Sequence, residues 1–211
     1  MESCEPQGET SPATATHRFM RSGAISILGL SLIWLLLTGG GGRAQESSTD
    51  INQLKAALIF NFAKFVEWPV ARAAETNIVL GILGKNPVGE SLEKMIQGKN
   101  KKINNHLLVV TIFDSSVVPT NCHILFISDS ETNRLPAIIK GLRDASASVL
   151  TVGETEGFTT ERGGMIRLFP LSQVNPQVSK IRFQINEAAA KRAHLKISSK
   201  LLSLASPTTT R

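Results

Sequence analysis

The sequence predicts a single α/β domain: an open, mainly parallel sheet flanked by helices, ending in an antiparallel hairpin and a C-terminal helix. Two observations carry that expectation. Short continuous apolar runs alternate with stretches whose apolar residues recur at helical spacing, in the order β-α-β-β-α-β. Near the C-terminus the pattern changes to strict apolar–polar alternation, the signature of a strand with one wet face.

The chain opens with a leader. Arg18 and Arg21 precede an uncharged, Leu- and Ile-rich run at 24–37, shorter than the about 20 residues a helix needs to span a bilayer. A glycine cluster follows, and Gly42 and Ala44 place small residues where signal peptidase requires them. Residues 1–44 therefore read as a secretory signal peptide cut near Ala44, and 45–211 as the exported α/β domain. Residues 1–19 hold nothing that could pack, and Met20-Arg21 would begin a compact leader, so 1–19 read as a mis-assigned start. Removal of the leader takes equal numbers of basic and acidic residues, and the net charge stays at +6.

The first helix is expected where Leu54, Leu58, Phe62, Phe65 and Val66 form one apolar stripe, ended by Trp68-Pro69 because proline forces its predecessor out of helical geometry. The run at 78–83 suits a strand buried on both faces. A Gly/Pro turn at 84–89 leads into a helix with Val88, Leu92, Met95 and Ile96 inward. Strands follow at 107–113, at 122–128 and, after a helix facing inward with Leu135, Ile138, Ile139 and Leu142, at 149–152. The hairpin pairs 165–171 with 180–186 through a loop carrying Asn175-Pro176. In its second strand Ile181, Phe183 and Ile185 oppose Arg182, Gln184 and Asn186. Asn186 is a suitable N-cap for the last helical segment and Glu187 complements its dipole. That segment is expected to bend at 195–199 before Leu201, Leu202 and Leu204 dock.

Several chemistries lack their residues. In Gly84-Lys-Asn-Pro-Val-Gly89-Glu90, a carboxylate stands where a phosphate loop needs lysine. His106, His123 and His194 have no ligand spacing with one another or with a cysteine, so no metal is expected. No Gly-x-Ser-x-Gly elbow occurs. Cys122, alone in the exported part and set in an apolar run, reads as a buried small hydrophobe with no disulfide partner. Lys99-Asn100-Lys101-Lys102 and Lys191-Arg192 read as solvated faces, so no nucleic acid is expected. Nothing in these patterns calls for an enzyme or a cofactor.

The segments LKAALIFNFAKFVEWP (54–69), IVLGILGKNPVGESL (78–92), CHILFIS (122–128), LTVGETEGF (150–158), GGMI (163–166) and KIRFQINEAAAKRAHLKISSKLLSLA (180–205) occur in that order behind a secretory leader. So arranged, the chain resembles the YfiR-like family of periplasmic regulators. The resemblance implies a Rossmann-like domain without a catalytic centre, commonly a homodimer. It implies a repressor that binds the periplasmic portion of an inner-membrane diguanylate cyclase and so controls cyclic di-GMP and biofilm formation. It also implies that an outer-membrane lipoprotein can sequester the repressor. The disulfide that ties the Cys122 equivalent to the first strand in some members has no counterpart, because 78–83 contains no cysteine.

For ligand contact the candidates are Trp68 as a stacking wall, Arg182 as an anion partner, and Gln184 beside it on the polar side of the edge strand. A periplasmic small-ligand subunit of a transporter or histidine kinase is the alternative function.

Overall fold

Asn77–Leu83 is the strand from which the sheet grows in both directions. The computed structural model describes residues 43–85, 87–97, 102–171 and 180–207, with the backbone alone over 43–50. The leader and its cut site, the lysines at 99–101 and the Asn175-Pro176 loop lie outside these residues or their described side chains. Residues 41–211 form one compact unit.

In chain order the elements are α1 (Arg43–Phe62), β1 (Val66–Glu67), α2 (Val70–Ala73), β2 (Asn77–Leu83), α3 (Pro87–Ile96), β3 (Lys102–Ile103), β4 (His106–Phe113), β5 (Ile124–Ile127), α4 (Leu135–Asp144), β6 (Leu150–Gly153), β7 (Ile166–Pro170), β8 (Ile181–Ile185), α5 (Glu187–Arg192), β9 (Lys196–Ile197) and α6 (Ser199–Leu204). A single 3-10 turn, Asp129–Glu131, follows β5. Seven strands make the main sheet in the order β3-β4-β2-β5-β6-β7-β8, and β1 pairs with β9 in a second, two-stranded one. β4, β2, β5, β6 and β7 run parallel, while β3 and β8 add antiparallel edges. The order of the parallel strands reverses between β2 and β5, as in doubly wound sheets.

Alternation divides the core. Leu80, Ile82, Ile124, Phe126, Leu150 and Val152 face Ala56, Ile59 and Phe62 of α1 and Leu92 of α3. Leu83, Leu125 and Ile127 face Leu135, Ile138, Ile139 and Leu142 of α4 on the other side. Each fully buried aliphatic side chain contributes about 1.5–3 kcal/mol, and the central strands β2, β5 and β6 are buried on both faces because helices cover both. Phe158 fills the space above β6: a Cβ added at Gly153 would lie 2.3 Å from its ring, and one at Gly164 2.1 Å.

Three expectations need correction. The first helix stops at Phe62, and Phe65 and Val66 lie beyond it. Val66 and Glu67 instead pair with Ile197 and Lys196, and Ser198 N–H donates to Phe65 O. Long-range pairing thus satisfies backbone groups that another helical turn would have used. The most buried side chains of α1 are accordingly Ala56, Ile59 and Phe62, while Leu54 and Leu58 are only partly covered. The C-terminal segment bends as expected, but Leu204 stays 64 % exposed instead of docking.

Candidate functional site

The chain between α1 and β2 folds over the amino ends of the strands and roofs a cavity of about 330 Å³. Ala63, Val66, Ala73 and Ile78 supply apolar lining; Glu67, Trp68, Arg72, Asn104, His106 and His123 supply the rest. Each polar side chain arrives from an element end: Trp68 after β1, Arg72 in the last turn of α2, His106 as the first residue of β4, His123 just before β5. The size falls within the range of small-molecule sites.

His123 organises this wall. It is 2 % exposed, and its Nδ1 accepts the Val79 N–H at 3.1 Å. Nε2 therefore carries the hydrogen and donates to Arg72 O at 3.3 Å. Burial, the largest influence, holds its pKa below the ordinary histidine value, so the ring is neutral at pH 7. Trp68 meets it edge to face, centroids 5.5 Å apart, and donates its indole N–H to His123 O at 3.3 Å. The Arg72 guanidinium reaches Cys122 O at 2.6 Å and Glu75 Oε1 at 2.9 Å. His106 Nδ1 donates to Glu75 O at 2.7 Å.

No reactive set assembles among these groups. Cys122 is fully buried, and burial pushes its thiol up to about 12, so it is no thiolate at neutral pH. Both His123 nitrogens are engaged. What the arrangement can do is hold a small molecule against Trp68. At the opposite, carboxyl ends of the strands the polar groups engage one another: buried Glu131 accepts from Arg134 at 2.7 Å and Ser115 at 2.8 Å, and Asp129 accepts from Thr155 at 2.8 Å. A second, smaller groove of about 80 Å³ runs between α4 and α5, with Arg143 and Arg192 on its lining.

Of the residues the sequence nominates, Trp68 lines the larger cavity and is half-buried. Arg182 and Gln184 do not join it. They lie on β8, three strands beyond β5, roughly 14 Å at the spacing of neighbouring strands. Arg182 is exposed. Gln184 donates to Pro207 O at 3.2 Å and accepts from Thr159 at 3.5 Å, which ties the C-terminal segment to the hairpin. Arg72, His106 and His123 were not legible as a group. The available signal was a histidine inside the apolar run 122–128 and another opening a strand, but only the sheet order brings the two together.

Residues 52–206 match the family model described as YfiR/HmsC-like. No individual curated protein matches the chain at a significant level. The matched span runs from within α1 through every strand of both sheets to the end of α6, and it contains both the cavity and the hairpin. By that measure the chain belongs to the YfiR/HmsC-like family.

Proposed function

We propose that this protein is a non-enzymatic periplasmic regulator that binds the exported portion of an inner-membrane diguanylate cyclase and represses it. The observation that carries this reading is the family membership over residues 52–206. In this reading the leader is removed after Ala44, the domain is Rossmann-like and works as a homodimer, and an outer-membrane lipoprotein relieves repression by sequestering it. The doubly wound strand order and the helices on both faces support the fold part of the proposal.

Such a regulator makes and breaks no bond. It shifts the enzyme between two states by its difference in affinity for them, and about 2–3 kcal/mol of coupling changes activity by one to two orders of magnitude. Deleting the gene in its native host should raise cellular cyclic di-GMP and biofilm mass, and supplying the chain in trans should reverse both. Unchanged cyclic di-GMP in a host that expresses the cognate cyclase would refute the reading.

A second reading is favoured by one feature, the cavity beside Trp68: the protein is a small-ligand subunit of a transporter or sensor kinase. There a planar ligand rests against Trp68. Calorimetry of the purified protein with nucleotides and aromatic amino acids tests it, and a flat titration across both classes counts against it.

A further inference from the structure

The β7–β8 hairpin has an inner face, with Ile166, Leu168, Phe183 and Ile185 buried, and an outer one. On the outer face Arg167 stands across from Gln184, and Phe169 across from Arg182. The Arg167 guanidinium carbon is 5.3 Å from the centre of the Phe169 ring. Directly opposed residues in an antiparallel pair lie about 5 Å apart, so Phe169 is flanked by one guanidinium along its own strand and another across the ladder.

Neither arginine has a carboxylate partner among the described residues. Arg167 donates to the backbone carbonyl of Glu154 at 3.5 Å, and the Glu154 carboxylate belongs to Lys55 at 2.7 Å. Arg182 is exposed and forms no ion pair there. Arg162, on the neighbouring loop, likewise gives its hydrogens to backbone carbonyls, those of Glu156 and Thr132. Elsewhere the lysines with assigned contacts are mostly matched: Lys140 with Asp144, Lys191 with Glu187, Lys196 with Glu67. The strip is therefore a local surplus of positive charge around an aromatic ring. Its backbone is fixed by the ladder, and Gln184 is fixed by Pro207 and Thr159.

The contacts Arg167 makes with Glu154 O and Phe169 leave both guanidiniums without a counter-charge among the described residues. A binding partner would supply one: arginine and aromatic side chains are the usual anchors of protein interfaces, and a guanidinium takes a carboxylate through two parallel hydrogen bonds. A lipid headgroup surface needs charge alone, whereas an aromatic ring set between guanidiniums has the composition of a protein interface.

We propose that the outer face of the hairpin, centred on Arg167, Phe169 and Arg182, is the surface on which the regulated membrane enzyme docks, and that it receives an acidic segment of that enzyme's exported portion. This inference rests on the regulatory reading above. It adds where the contact is made and the charge of what is contacted.

The test uses the native host deleted for this gene and complemented with wild type, with R167E/R182E, or with R143E/R192E, which makes the same change of charge in the groove between α4 and α5. Cyclic di-GMP is measured with the periplasmic amount of each chain, and purified chains are melted. R167E/R182E should accumulate and melt as wild type does, yet leave cyclic di-GMP about tenfold above the wild-type complement. R143E/R192E should repress normally. Suppressors of R167E/R182E selected in the cyclase gene should replace Asp or Glu by Lys or Arg in its exported portion.

Full repression by R167E/R182E, an equal defect in R143E/R192E, or suppressors that leave charge unaltered would each overturn the proposal while the regulatory reading stands. Wild-type chain that fails to repress would overturn both. Flotation with phosphatidylglycerol vesicles that R167E/R182E abolishes, without charge-changing suppressors, would assign the strip to the membrane and also overturn it.

Discussion

At the scale of single residues, His123 links the cavity wall to the stability of the sheet. Its neutral ring accepts the Val79 N–H and donates to Arg72 O, and a second proton would have to displace Val79. Burial, the largest influence, opposes protonation and outweighs the Arg72 carbonyl that favours it; among the charged or titratable groups around the ring, the Arg72 guanidinium and His106 oppose protonation and Glu75, 3.7 Å away, favours it. Because the folded pKa lies below the unfolded value of about 6.5, the unfolded chain binds the extra proton first as pH falls. Stability from this residue is complete above that pH and declines below it. Urea midpoints should hold steady from pH 8 to 7 and drop from pH 6.5 to 5. In His123→Asn, whose amide oxygen can still accept from Val79, the chain should be weaker by about 1–3 kcal/mol at pH 8, with a shallower acid decline. Equal slopes in the two proteins would remove His123 from the account.

At the scale of elements, caps and close approaches decide what the apolar pattern leaves open. Asn186 Oδ1 accepts the Ala189 N–H at 2.9 Å, and its Nδ2 donates to Thr159 O at 2.6 Å, so one side chain starts α5 and anchors the loop before β7. Asn186→Ala should cost about 1–2 kcal/mol in chemical denaturation, and Asn186→Asp should also destabilise although it keeps the cap, because a carboxylate oxygen would then face the Thr159 carbonyl. The cap was legible in the sequence, as were all four inward residues of α4, because both depend on local chemistry and periodicity. Gly164 was not. In the sequence the Gly163-Gly164 pair reads as a turn, and only the folded chain shows Phe158 against the Gly164 α-carbon. Gly164→Ala should therefore destabilise by about 1–3 kcal/mol through overpacking, and Phe158→Leu in the same chain should recover part of that loss. If Gly164→Ala is neutral in thermal melts, the ring does not press on that site. The short β1–β9 pairing was equally hidden, since two-residue strands carry no period and Val66 and Ile197 lie 131 positions apart; β3 was hidden for the first of these reasons alone, its partners on β4 being three and five positions away.

At the scale of the whole molecule, the two ends of the domain hold each other. Val66 pairs with Ile197, Glu67 with Lys196 in both ladder and salt bridge, and Ser198 N–H donates to Phe65 O at 2.9 Å. The same C-terminal stretch then runs to the hairpin, where Ser206 N–H donates to Phe183 O at 2.8 Å. One segment thus supports both the lip of the cavity at Glu67–Trp68 and the strand that carries Arg182. Leu195, Ile197 and Leu201 are its buried side chains, at 2 %, 6 % and 3 % exposure. At about 2 kcal/mol each their burial amounts to roughly 6 kcal/mol, comparable with the entire stability of a small domain, about 5–15 kcal/mol. Ile197→Ala should cost about 2–4 kcal/mol without changing the denaturant slope, because the surface exposed on unfolding is nearly the same. A chain ending at His194 should lose cooperative unfolding altogether. Trp68 is the single tryptophan within residues 45–211, so its emission reports on the lip directly in protein lacking the leader: it should shift to the red in the truncated chain before any denaturant is added. A truncated chain that unfolds cooperatively with unshifted emission would show that the cavity and the sheet stand without this closure, and that the terminal segment serves only the hairpin.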